Sequence, residues 1–212
     1  MLTFRGFRKY FGDNLILAIP ELTVPAGIHW IKGQNGSGKT TLFRVLGGLI
    51  PYQGDILLNQ SINLQAQPLL HRRHINLGEA APLYPGFLTG TELVNLFSQA
   101  HKAPADQAAT LIKYFNADYL HQPVRAYSSG MLKKLSLMLA FIGQPSLILL
   151  DEPLATLDTA TVELVYNLMQ EYNSKHQTSF LVTSHQDSQM TQLPLTATWL
   201  VQNQTLTQLS DS

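Results

Sequence analysis

Residues 33–40 read GQNGSGKT. They match G-x-x-x-x-G-K-[ST], a loop whose backbone N–H groups cradle the phosphates of a nucleoside triphosphate. Gly33, Gly36 and Gly38 admit backbone conformations closed to residues with a Cβ, which turns successive N–H groups inward. Lys39 can reach the β- and γ-phosphates, and the Thr40 hydroxyl suits a Mg²⁺ ligand. Gln34, Asn35, Ser37 and the following Thr41 complete the candidate nucleotide site. A second group stands at the end of the apolar run 146–150, where Asp151 is followed by Glu152. An acid at a strand end can hold Mg²⁺ directly or through water, which fits Asp151, and Glu152 can polarise an attacking water as general base. A third is Ser128-Ser129-Gly130. Ser128 can cap the helix that follows, with Ser129 and Gly130 keeping its first turn open to an anion.

These groups need elements to hold them. Residues 28–31 read as a short strand before the loop and 41–46 as a helix after it, so the helix N-terminus adds its dipole to the anion site. Strand patterns at 2–7, 15–19 and 27–31 are broken by Gly12-Asp13-Asn14 and Pro25-Ala26-Gly27, and 54–59 is a further strand. From about residue 88 the pattern turns helical. Segments 91–100 and 106–115 are amphipathic, and 131–142 is apolar almost all round, with Gly143 and Pro145 ending it. The run 146–150 suits a central parallel strand covered on both faces. A helix with Val162, Val165, Tyr166 and Met169 at i, i+3, i+4, i+7 starts near Asp158 or Thr159. Segment 179–183 is another buried strand, and 197–201 with 205–209 forms a closing hairpin around Asn203. The order predicts an α/β fold. Residues 1–87 and 146–212 make the nucleotide-binding core, a mainly parallel sheet with helices on both faces and an antiparallel N-terminal part. Residues 88–145 make an inserted helical subdomain. Ligands of such sheets bind beyond the carboxyl ends of the strands, which brings Asp151 and Glu152 beside the loop.

The 212 residues carry zero net charge, with only 13% charged, so no electrostatic footprint for nucleic acid or an anionic membrane stands out. The basic cluster His71-Arg72-Arg73-His74 reads as a solvated loop. With no cysteine, disulfides and thiolate metal sites are excluded, in keeping with a reducing cytosol. The N-terminus runs straight into a strand pattern without a signal peptide, and no apolar run approaches the ~18 residues that span a bilayer. The expectation is a soluble chain, or one held at a membrane by a partner.

Taken together, the three groups resemble the ATP-binding-cassette (ABC) ATPases. Residues 33–40 resemble the family's phosphate loop, Asp151 its Mg²⁺-binding acid, Glu152 its catalytic glutamate, and Ser128-Ser129-Gly130 its signature motif, which faces the γ-phosphate bound by the opposite subunit. Ala155-Thr156-Leu157-Asp158 resembles the loop that passes between the two subunits. Thr183-Ser184-His185 resembles the switch region, with His185 contacting the γ-phosphate and orienting water. Phe11 stands where the family stacks an aromatic on adenine, with Tyr10 as its fallback, and Glu79 where a glutamine usually senses Mg²⁺. The sequence departs from the usual signature at Tyr127, Ser129 and Met131, and Glu79 adds a negative charge; Tyr-Ser-x-Gly-Met with an acidic residue resembles exporter-type members.

What the resemblance implies is an ATPase that uses ATP and Mg²⁺ and closes head to tail as a homodimer or with a paralogous cassette. It would drive a separate transmembrane permease from the cytoplasmic, inner face of the cell membrane, with no nucleic-acid partner. The segment 83–87, aromatic and proline-stiffened, offers a docking surface for that permease. Two other readings stay open. A nucleotide kinase would need a lid rich in arginines, and a non-hydrolysing regulatory cassette is suggested by the altered signature but opposed by intact Lys39, Asp151, Glu152 and His185.

Overall fold

Two sheets organise the chain in the computed structural model, which describes residues 1–184, 190 and 192–209. The antiparallel one is built on a hairpin of β1 (Leu2–Phe11) and β2 (Asn14–Val24), turned at Gly12, whose φ of 56° lies in the left-handed region open to glycine. Both strands run well past the segments legible from alternation. β4 (Gln53–Leu58) and the two-residue β5 (Ile62–Asn63) extend this sheet in the order β2-β1-β4-β5.

The larger sheet has the order β10-β9-β3-β8-β7-β6. It comprises β3 (Ile28–Lys32), β6 (Ile75–Gly78), β7 (Leu147–Leu150), β8 (Ser179–Thr183), β9 (Ala197–Gln202) and β10 (Thr205–Leu209). All neighbours are parallel except β10, which returns antiparallel on β9. Every residue of β7 and β8 is buried, as expected of central parallel strands. Alternate side chains feed two cores. Ile148, Leu150, Phe180 and Val182 meet the helices on one face, while Leu147, Leu149 and Leu181 meet α1 (Lys39–Leu46) and the antiparallel sheet on the other. The observed architecture is the α/β one read from the sequence.

Between β6 and β7 lie α3 (Gly90–Ala100), α4 (Gln107–Tyr114) and α5 (Ser129–Phe141), and α6 (Thr159–His176) links β7 to β8. The caps follow the sequence: Ser128 accepts a hydrogen bond from the Met131 N–H at 3.2 Å, and Asp158 accepts one from the Thr161 N–H at 2.9 Å. One expectation is overturned. The cluster His71-Arg72-Arg73-His74, read as a solvated loop, instead belongs to a short helix α2 (Pro68–His74) with Pro68 in its first turn. His71 on it is buried, its Nε2 lying 2.6 Å from the Leu46 carbonyl oxygen at the end of α1. The polar cluster pattern hides this because one ring, packed against Gly48, suffices to anchor the helix. β6, which follows at once, was not among the strands read from the sequence.

Candidate nucleotide site

The strand order explains the site. β3 ends in the phosphate loop, β8 lies beside it and β7 beside β8, so the ends of three adjacent parallel strands deliver Gly33, Thr183 and Asp151 to one edge. The loop glycines take φ values of 155° (Gly33), 77° (Gly36) and 108° (Gly38). A Cβ on Gly33 would stand 2.6 Å from Ser37 Oγ and 2.7 Å from the Val201 carbonyl oxygen, so the turn closes only around glycine there. Lys39, first residue of α1, is buried and donates to the carbonyl oxygens of Gly33 at 2.7 Å and Gln34 at 3.0 Å. Burial lowers its pKa from the ordinary lysine value, against the opposing pull of Glu152 and Asp151.

The two groups identified by spacing are joined. The Thr40 hydroxyl donates to Asp151 Oδ2 at 2.8 Å, and the Thr183 hydroxyl donates to Asp151 Oδ1 at 2.7 Å while accepting the Glu152 N–H at 2.8 Å. Glu152 itself has φ 47°, an uncommon conformation for a residue with a Cβ, stored where the strand turns into the site. A hollow of about 250 Å³ opens here, lined by Phe11, Ile16, Asn35, Gly36, Gly38, Lys39, Thr40, Thr41, Ala80, Asp151 and Glu152. A larger polar hollow of about 790 Å³ lies at the opposite, amino-terminal ends of the strands, around Gly27, Ser146 and Ser179. The chemistry and the strand-end rule both favour the smaller one.

Not every candidate reaches the hollow. Gln34 and Ser37 line a neighbouring depression with residues 200–204, although the Gln34 carbonyl holds Lys39. Phe11 is half exposed at the end of β1 and lines the hollow, with Lys9 Nζ 4.6 Å from its ring centroid; Tyr10 does not line it. The Glu79 carboxylate lies 3.0 Å from Arg44 Nε, in a groove with Leu49, Tyr84 and Phe97, and the adjacent Ala80 takes the place beside the loop. Ser128 and Ser129 are exposed at the start of α5 and do not line the hollow of their own chain. His185 lies outside the described residues.

Spacing alone missed two contributors. Thr183 was seen only as part of a switch segment. The signal available was a hydroxyl closing an apolar strand. Lys133 sits buried in α5 and donates to the carbonyl oxygens of Asp151 at 3.1 Å and Glu79 at 3.3 Å. Burial lowers its pKa to about 8, with Asp151 and Glu152 pulling the other way. Two adjacent lysines in a helix otherwise apolar imply that one must face inward, but not where it ends.

Strand, glycine-rich loop and helix, with an acid on the next-but-one strand, define a phosphate-loop nucleotide-binding domain. The sequence profile of the family described as ABC transporter matches residues 20–155. The chain is 31% identical over 187 residues to the ABC transporter ATP-binding protein YtrB of Bacillus subtilis, covering 87% of this chain and 63% of that protein. It is 32% identical over 178 residues to the lipoprotein-releasing system ATP-binding protein LolD of Buchnera aphidicola, covering 78% and 77%. A solved dimeric ATP-binding cassette in a post-hydrolysis state with ADP and Pi superposes at a TM-score of 0.82 over the whole of both chains, at 18% identity, and so shares the fold. The chain belongs to the ABC transporter family, as an ATP-binding cassette.

Proposed function

We propose that this cassette hydrolyses ATP as one half of a head-to-tail dimer and energises a separate transmembrane permease. The carrying observation is the hydrogen-bonded row Thr40–Asp151–Thr183–Glu152, which locks the phosphate loop to the two acids. Lys39 and the loop from Gly33 to Thr41 hold the triphosphate, Phe11 stacks on the base, and Glu152 takes the proton of the attacking water as general base. The oxygen donors of Thr40 and Asp151 fit Mg²⁺, which favours one or two protein oxygens with phosphates and water completing its shell. When bound, it neutralises phosphate charge. Glu79 senses the ion and His185 orients the water on this reading.

Exposure of Ser128 and Ser129, with half-buried Gly130 beside them and all three away from their own hollow, supports their use on the nucleotide of a second cassette, a homodimer partner or a paralogue. That the superposable cassette was solved as a dimer supports a two-cassette assembly. Residues 88–145 act as the helical subdomain that carries this signature against the core formed by 1–87 and 146–212. Leu83 and Phe87 are exposed at 89% and 75%, which supports permease docking through this segment, while Tyr84 packs inward on the core. On this reading the chain sits at the cytoplasmic face through its permease, as an ATP-binding subunit of the family would; among the described residues no helix is long and apolar enough to cross a membrane. A kinase-like lid is disfavoured, because Arg125 is the lone arginine of residues 88–145.

Glu152→Gln tests the reading. Hydrolysis should fall ~10²–10⁴-fold with ATP binding retained, and an ATP-dependent dimer should accumulate on size-exclusion chromatography. Native turnover by this variant would remove Glu152 as the base.

A further inference from the structure

We infer that Lys133 is a positioning residue for hydrolysis: by holding the backbone carbonyls of Asp151 and Glu79 together from the signature helix, it fixes where Glu152 stands. The inference rests on the reading of Glu152 as general base.

β6 and β7 run in register up to Gly78 and Leu150, and the Asp151 N–H still donates to the Gly78 carbonyl at 2.8 Å. One residue later the two chains part, Glu79 toward Arg44 and Glu152 toward the phosphate hollow. Lys133 Nζ sits at that fork, 3.1 Å from the Asp151 oxygen and 3.3 Å from the Glu79 oxygen, only 4% exposed. Its neighbours on α5, Leu135, Leu137 and Met138, are fully apolar and buried. A methionine would fill such a place without desolvating an amino group, so packing alone gives no reason for lysine. What lysine adds is several N–H donors on one atom, able to bridge two carbonyls that no strand pairs.

The same helix grips the far end of the segment. Lys134 Nζ lies 3.7 Å from Asp158 Oδ2, and a Cβ on Gly130 would stand 3.5 Å from the Thr156 carbonyl oxygen. Residues 151–158 thus run between two points of attachment on α5. Within them Glu152 and Thr156 hold φ of 47° and 67°, and for a β-branched threonine such a value persists only where surroundings impose it. Lys133 stands one helical turn after Ser129, so a displacement of the signature face reaches Glu152 through one side chain.

ATP turnover by the purified full chain, across ATP concentrations, tests this with Lys133→Met, Lys133→Gln, Glu152→Gln and the double variant Lys133→Met/Glu152→Gln. Lys133→Met should lower kcat ~10²-fold, the cost of a misplaced catalytic group, with KM held within about threefold. Lys133→Gln keeps two N–H donors without the charge and should recover turnover to within about tenfold of native. Because Lys133 acts through Glu152, the double variant should be no more than about threefold slower than Glu152→Gln alone. Native kcat in Lys133→Met, an equal loss in both Lys133 variants, or losses that multiply with Glu152→Gln would each overturn the inference. Should Lys133→Met not fold, Lys133→Gln and its double variant with Glu152→Gln decide by the same non-multiplying criterion. Native turnover in Glu152→Gln would instead strike the general-base reading, which separates the two failures.

Discussion

The Thr183 hydroxyl donates to Asp151 Oδ1 and accepts the Glu152 N–H, so one fully buried oxygen ties both acids to β8. Replacing it by valine keeps the shape and strands both partners. Thr183→Val should therefore lower kcat more than it raises KM, and leaving buried groups unpaired should cost about 1–3 kcal/mol. For a domain of this size that is a fall of roughly 2–12 °C in melting temperature. A variant with native kcat and native melting would show that the row of hydroxyls is dispensable. The loop and Asp151-Glu152 were legible because their chemistry needs contiguous residues, and the spacing of the phosphate loop is dictated by one ligand. Thr183 and Lys133 were not, since their partners are assigned by strand order. Glu79 illustrates the limit: its place in the chain could be read, but not that Arg44 engages its carboxylate.

At the scale of elements, long periodic helices and fully apolar strands announced themselves, whereas β6 has four residues and α2 seven, too few for a period to show. Yet β6 does structural work that only contacts reveal. Asn76 on it is buried and donates to the carbonyl oxygens of Ala140 at 2.9 Å and Ile142 at 2.8 Å, closing the C-terminal end of α5. Gln107 on α4 reaches the same end, donating to the Gly143 carbonyl at 2.8 Å and accepting the Gly143 N–H at 2.7 Å. α5 thus ends by side chains borrowed from two other elements, while Ser128 caps its start locally. Asn76→Ala should cost about 2 kcal/mol through two stranded carbonyls, seen as a melting temperature roughly 4–8 °C lower. Melting within about 1 °C of native would mean that water replaces the asparagine at little cost.

Across the whole molecule, neutral histidines are built into places far apart. His29, fully buried on β3, lies with Nε2 2.9 Å from the Pro25 oxygen and accepts the Trp199 indole N–H on Nδ1 at 3.2 Å, which fixes the proton on Nε2. His71 anchors α2 beneath α1, and the buried Nδ1 of His101 has no hydrogen-bond partner among the described residues. Burial lowers the pKa of all three from 6.5. As pH falls past 6.5 the unfolded chain takes up protons that the folded chain refuses. Stability is therefore fully present above that value and is lost as pH drops toward the folded values. The Met1 amino group, whose pKa burial lowers from 8.0, adds a loss of the same sign as pH falls. Asp158 and Glu92, held down by hydrogen bonds at helix starts, act below their ordinary values of 3.8 and 4.5, and Lys133 contributes only between about 8 and 10.5. Melting temperature should thus fall by about 5 °C or more from pH 7 to pH 5 in dilute buffer. His71→Gln, whose amide can still donate to the Leu46 carbonyl, should melt with a shallower dependence on pH. A profile that is flat from 7 to 5, or a slope unchanged by His71→Gln, would show that protonation is absorbed without opening the places these rings occupy.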